Sequence, residues 1–228
     1  MIIAIHQPQY IPWIGYFHKI ASVDVFVLLD NVQYKKNEFQ NRNKIKTSNG
    51  AQWLTVPVKY KFPQKINEVE INNNFPWPRK HIQALRTNYS KAQYFERYFS
   101  CFAEMLQKDW HLLSKLNIHA VKKISKLFHL NTEFYDASEL GIIEEEPNKR
   151  LIEICRHFKA DTYLSGKGGI NYLNINLFKD ADITVKFQDF KHPAYNQLYG
   201  AFVENLSVID LLFNCGEKST DFIRQNQR

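Results

Sequence analysis

The sequence lacks any apolar stretch approaching the ~18 residues that a membrane-crossing helix needs. It also lacks a cationic N-terminal segment followed by a long apolar one, so no secretory leader is expected. Cysteine is scarce: Cys101, Cys155 and Cys215 are far apart and odd in number, with no C-x-x-C pair. That spacing excludes a zinc knuckle and a disulfide framework, and it fits a reducing compartment. No His/Glu cluster has metal-ligand spacing, so no metal site is expected. The patterns G-x-x-x-x-G-K-[ST] and G-x-S-x-G are both missing, which argues against a Walker site and an α/β-hydrolase elbow. Together these absences predict a cytoplasmic protein with no membrane insertion.

What is present is an ordinary globular composition over 228 residues, 44% hydrophobic and 23% charged. Aromatics are plentiful, with 17 Phe, 12 Tyr and 4 Trp. The net charge of +7 and isoelectric point of about 9.2 favour anionic partners. No run of five or six basic residues occurs, so most of that charge reads as solvated surface and a nucleic-acid partner is not favoured.

The chain is organised around His6-Gln7-Pro8-Gln9-Tyr10-Ile11-Pro12-Trp13. Ile2 to Ile5 reads as a buried strand leading into it. Pro12 fits the first turn of a helix, and Ile14, Phe17, Ile20 and Ala21 follow at helical spacing. Val25 to Leu29 reads as a second strand and ends in Asp30. This is a βαβ unit, in which His6 and Asp30 lie at carboxyl strand ends, where open α/β sheets bind ligands.

Residues 31 to 50 read as polar and basic, partly loop, with a turn at Asn49-Gly50. Gln52 to Val58 and Glu68 to Ile71 read as strands, with Pro57 favouring an edge. Residues 79 to 130 carry apolar residues at helical spacing and predict a helical insertion or subdomain. Strand and helix text returns at 132–135, 148–158, 161–164 and 183–187, and Ser207 caps a last helix. The expected division is therefore 1–78 as an N-terminal α/β half, 79–130 as the insertion, and 131–228 as the half that completes the same domain. The expected fold is α/β, with a mostly parallel, Rossmann-like sheet and helices on both faces.

Four groups of residues point to chemistry. His6 with Gln7, Tyr10, Trp13 and Tyr16 combines a residue that moves protons near neutrality with rings that can face a base or sugar. Asp30, Gln33, Asn41, Arg42 and Lys44, with Lys35 and Lys36 just before the last three, lie on the next strand end and loop, where Arg suits phosphate and Asn suits hydroxyls. Ser165, Gly166 and Lys167 open a glycine-rich turn that lets backbone and cation approach an anion. His192 and Tyr195 flank a proline turn, and His192 is expected to converge with His6 on one pocket. Each group has a plainer structural explanation, as core ring, exposed basic loop or flexible turn. The density of polar groups around His6 favours a site.

The same blocks resemble the WbqC-like proteins of bacteria and archaea. The matching text is His6 to Trp13, Asp24 to Gln33, Gln40 to Ile45, Trp53 to Pro57, Tyr163 to Gly166, His192 to Tyr195 and Leu206 to Asn214. The resemblance implies an enzyme of surface-polysaccharide (O-antigen) biosynthesis. The expected reaction is acyl or aminoacyl (glycyl) transfer to the amine of a nucleotide-linked amino sugar. Partners would be that sugar nucleotide and an acyl donor. Arg42, Lys44 and Lys167 would hold the diphosphate, and His6 or His192 would be the general base. A weaker similarity is to nucleotidylyltransferase-like α/β proteins, though the second histidine of their His-x-Gly-His signature is missing. That similarity supports a rival reading in which ATP is the cofactor and an adenylate forms. A third reading is a basic nucleotide- or nucleic-acid-binding module without catalysis. Nothing in the sequence sets an oligomeric state.

Overall fold

A computed structural model describes residues 1–225. The main sheet has five strands: β1 (Ile2–His6), β2 (Val25–Leu28), β7 (Glu133–Asp136), β8 (Thr162–Ser165) and β9 (Thr184–Phe187), in the order β7-β2-β1-β8-β9. All pairings are parallel. Counting only these strands, the order is 3-2-1-4-5, that of a Rossmann-like α/β sheet. The expected α/β class is the observed one.

Alternation along each strand explains the two faces. Ala4, Phe26 and Leu28 join the core with helices α1 (Ile14–Ala21) and α4 (Leu113–Leu127). Ile3, Ile5, Val25, Val27 and Tyr163 join a second core with α5 (Pro147–His157) and α6 (Ile175–Lys179). The chain therefore changes face after β7. The seam between β1 and β8 is the point where the strand order reverses, which is where open α/β sheets generally bind ligands.

Between β2 and β7 the chain makes a long excursion. It contains two antiparallel hairpins, β3 (Arg42–Thr47) with β4 (Gly50–Thr55) and β5 (Val58–Lys59) with β6 (Glu70–Ile71). Helices α2 (Trp77–Tyr89) and α3 (Phe95–Gln107) follow, then α4. The strand text at 52–58 and 68–71 thus belongs to separate two-stranded ribbons rather than to the main sheet. Pro57 falls in the break between β4 and β5, where no ladder N–H is needed. Residues 42 to 47, read as part of a polar loop, form β3. Near the C-terminus, α7 (Val208–Cys215) and α8 (Ser219–Arg224) pack on the first core. No helix among the described residues is long and apolar enough to cross a membrane.

Candidate functional site

A cavity of about 860 Å³ opens over the carboxyl ends of β1 and β2 and the start of α5. Its floor includes Ile5, His6, Gln7 and Tyr163, and its wall includes Pro147, Arg150 and Tyr172. Three cations, Lys35, Lys65 and Arg150, line it against one carboxylate, Glu68. Glu68 is partly engaged, since it accepts the Lys65 backbone N–H at 2.9 Å. Arg150 donates from Nε to the Glu144 carbonyl at 2.6 Å and from Nη2 to the Glu145 carbonyl at 3.1 Å, which fixes its fork at the cavity wall.

His6 is the last residue of β1 and turns toward the α1 face. Its ring stacks on Tyr16 of α1 at 4.8 Å between centroids. One helical turn on, Lys19 places Nζ 3.3 Å from His6 Nδ1. Burial, and then the Lys19 cation, hold the imidazole well below its usual pKa, so the ring is neutral at pH 7. Burial lowers Lys19 to about 8, which leaves it mostly charged at that pH. A charged amine has no lone pair, so Nδ1 must accept and the ring proton sits on Nε2. His6 therefore offers the cavity a neutral N–H donor. The sequence led us to expect a general base, and this tautomer does not present the lone pair that a base needs.

The loop after β1 is held from behind by polar side chains. Asn43 Nδ2 donates to the Tyr10 and Ile11 carbonyls at 3.3 and 2.7 Å. Asn117 Nδ2 of α4 donates to the Pro8 and Gln40 carbonyls at 3.3 and 2.7 Å. Ile11 has φ of 39°, a costly region for a β-branched residue, and persists because these bonds over-determine it. Gln40 accepts the Lys35 N–H through Oε1 at 2.9 Å and donates through Nε2 to Gln7 Oε1 at 2.7 Å. The Gln7 amide is thereby oriented, with its NH2 left for a ligand.

A strap from the β5–β6 hairpin covers one side of the cavity with Pro63, Gln64 and Lys65. Main-chain bonds seat it on the loop after β2: Tyr34 N–H to the Gln64 carbonyl, Ile66 N–H to Val32, and Asn67 N–H to Asp30, each 2.9 Å. Asn31 and Gln33 of that loop also line the cavity. Asn31 Oδ1 is buried with no hydrogen-bond partner among the described residues.

Of the residues singled out from sequence, His6, Gln7, Gln33 and Lys35 line this cavity. Ser165 and Gly166 stand at the neighbouring end of β8, where Ser165 Oγ donates to the Gly166 carbonyl at 3.2 Å. The others lie elsewhere. Asp30 is fully buried, and its carboxylate accepts the Ser138 N–H and hydroxyl at 2.9 and 2.7 Å. It clamps the end of β2 to the turn after β7. Tyr10 is buried against His81, 2.8 Å from phenol to Nδ1, and the Tyr16 phenol donates to the Gln7 carbonyl at 3.1 Å.

Trp13 and His192 are parallel, 6.5 Å apart, and His192 also stacks near Tyr195. The Trp13 ring lies over Gly15, where any Cβ would meet it at 2.3 Å. His192 donates from Nδ1 to the Pro193 carbonyl at 2.9 Å and accepts the Asn205 N–H at Nε2, 3.2 Å away. Both ring nitrogens are thus engaged within the C-terminal segment, and His192 is not among the residues around the cavity with His6. Tyr195 donates to Asp210 at 2.8 Å. Arg42 and Lys44 lie over the Trp53 ring at 4.2 and 4.8 Å, and Asn41 donates to the Val56 carbonyl. Lys167 is exposed and pairs with Asp189 at 3.5 Å.

Sequence reading passed over Lys19, Arg150, Tyr163 and Tyr172. Only Lys19 left a signal: it is three residues after Tyr16, on a helix whose other residues apart from His18 are apolar, aromatic or glycine. No group of three or more His, Cys, Asp or Glu side chains among the described residues could hold a metal ion.

The fold and this cavity define an α/β protein with a crevice at the carboxyl ends of a Rossmann-like parallel sheet. The chain belongs to the WbqC-like protein family, whose model matches residues 7–222. It is also similar to a Mycobacterium tuberculosis (strain ATCC 25618 / H37Rv) protein named uncharacterized protein Rv1507c, 37% identical over 226 residues and covering 97% of each chain. No solved structure matches.

Proposed function

We propose that the protein is a transferase of surface-polysaccharide assembly. It seats a nucleotide-linked amino sugar in the cavity and moves an acyl or aminoacyl group, glycyl being the leading case, onto the sugar amine. The observation that carries the reading is the His6–Lys19 pair at the reversal point of the sheet, a neutral N–H donor backed by a cation. As the amine attacks the acyl carbonyl, a C–N bond forms and the bond to the leaving group breaks. The amine proton departs with the leaving group or to water. The carbonyl oxygen gains negative charge meanwhile, and the His6 Nε2–H is suited to stabilise it. Lys35, Lys65 and Arg150 suit a diphosphate, and the cavity is large enough for a sugar nucleotide.

The test is turnover of a nucleotide-linked amino sugar with activated acyl donors. His6→Ala should fold, melt below wild type because the buried Lys19 amine loses its acceptor, and lose at least about a hundredfold in kcat when assayed well below that melting temperature. Full turnover in that variant would sink the role of the pair. The strand order and the same donor pair also favour a second reading, in which ATP activates a carboxylic acid as its adenylate. Release of pyrophosphate on adding ATP and glycine selects that reading over direct transfer.

A further inference from the structure

Two lysines are fully enclosed by this fold, and they are not equivalent. Lys46 is 1% exposed, and its amine donates to Gln197 Oε1 at 3.0 Å and to the Ala201 carbonyl at 2.6 Å. It also lies within the field of the Asp210 carboxylate. Lys19 is 4% exposed, has no ion pair among the described residues, and meets a single acceptor, His6 Nδ1, at 3.3 Å. Burial alone accounts for its lowered pKa, with no carboxylate opposing the shift. An ammonium carries three donors, so this one is under-satisfied in the protein alone. A buried cation without a counter-ion costs several kcal/mol in general, a cost that an anionic ligand would offset.

Its surroundings fit that role. Lys19 projects from the sheet-facing side of α1 toward the seam between β1 and β8. On the β8 side it meets Gly166, where a Cβ would stand 3.1 Å from Nζ and 3.9 Å from Cε. Glycine at 166 leaves the amine free of a side chain on that flank. On the β1 side it meets His6, which reaches the cavity.

We propose that Lys19, lying behind the cavity-lining His6 with its flank cleared by Gly166, forms an anion subsite at the seam, which takes a phosphate group of the cavity's ligand and leaves the His6 Nε2–H to the acyl carbonyl. The subsite rests on the reading of this cavity as the ligand site and not on the acyl-transfer chemistry. Lys19 takes the anchoring role that Lys167 was expected to play, while Lys167 remains on the surface with Asp189.

The probes are inorganic pyrophosphate and UDP, with affinity measured by calorimetry and thermal shift at fixed ionic strength. Wild type should bind both. Lys19→Met should lose at least tenfold in affinity for each and, without ligand, should melt at or above the wild-type temperature, because it removes an unpaired buried cation. Lys179→Met, an exposed lysine on α6, should bind as wild type does. If Lys19→Met does not fold, Gly166→Ala carries the test, since its methyl group presses on the amine and should weaken pyrophosphate at least threefold. Equal binding by wild type and the tested variant, or no binding of either probe to wild type, overturns the subsite. Pyrophosphate bound through Lys19 with no acylation of any sugar nucleotide overturns the transferase reading and leaves the subsite standing. Acylation by Lys19→Met with an unchanged KM for the sugar nucleotide overturns the subsite and leaves the transferase reading standing.

Discussion

Gln40 Nε2 donates to Gln7 Oε1 at 2.7 Å, joining the loop after β1 to a residue that is itself 2% exposed. The direction of that bond is set by a third group, because Gln40 Oε1 is already committed to the Lys35 N–H. One buried amide therefore orients two cavity residues, Gln7 and Lys35.

Replacing it gives the first prediction. Gln40→Leu keeps the volume and removes both bonds. Stability should fall by about 1–3 kcal/mol, since the Lys35 N–H loses its acceptor. Affinity for the cavity's ligand should fall about tenfold, equivalent to about 1.4 kcal/mol. Urea unfolding and calorimetry with UDP read the two separately. Loss of stability with unchanged affinity would mean that Gln7 does not touch the ligand.

Asp30 separates clamp from ligand contact. Asp30→Ala strands the Ser138 N–H and hydroxyl and should cost about 1–3 kcal/mol of stability. Asp30→Asn keeps a carbonyl oxygen for the Ser138 N–H and should cost less. In both variants the dissociation constant for UDP should stay within about twofold of wild type. A tenfold loss would return Asp30 to the binding surface.

The pH dependence of stability follows from Lys19 and its neighbour His6. Lys19 has its folded pKa lowered from 10.5 to about 8, so charging it opposes folding. The unfolded chain binds the proton more tightly between those values, and stability rises with pH across that window. At pH 7 the full penalty is present, on the order of 3 kcal/mol. His6 is also lowered, by burial and by Lys19, so its contribution is present above pH 6.5 and is lost as pH falls through its folded pKa. In unfolding series from pH 5 to 10.5, the stability gap between Lys19→Met and wild type should narrow above pH 8. A gap that does not change with pH would mean that the amine is already neutral in the fold.

Most of the sheet was legible because its strands are short apolar runs bounded by turn residues, as in Ile2 to Ile5 and Val25 to Leu29. β3 was not, because Asn43 and Lys46 are buried through hydrogen bonds rather than through apolarity. Their polarity made a strand look like a loop. His6 was legible as a strand-end polar residue. Its partner Lys19 was obscured because a lysine on a helix usually marks the solvent face, and only its position three after Tyr16 argued otherwise. Asp30 was misplaced for the opposite reason. A carboxylate at a strand end suggests ligand contact, yet the Ala137–Glu139 turn comes from more than a hundred residues away to consume it. Arg42 and Lys44 had the right chemistry for phosphate, but their strand turns them over Trp53.

The strap carrying Pro63, Gln64 and Lys65 sits on residues 30–34 through main-chain bonds at Tyr34, Ile66 and Asn67. The Gln64 side chain braces it from within, accepting the Lys61 N–H at 3.2 Å and donating to the Glu68 carbonyl at 2.9 Å, whereas none of these bonds uses the Lys65 side chain. Substitutions at Lys65 can therefore accumulate in a lineage without unseating the strap, so selection can retune which ligand is accepted while the scaffold stays unchanged. Relatives in the family should accordingly diverge in preference through this segment before they diverge through the loop after β1, whose placement depends on the side chains of Asn43, Asn117 and Gln40.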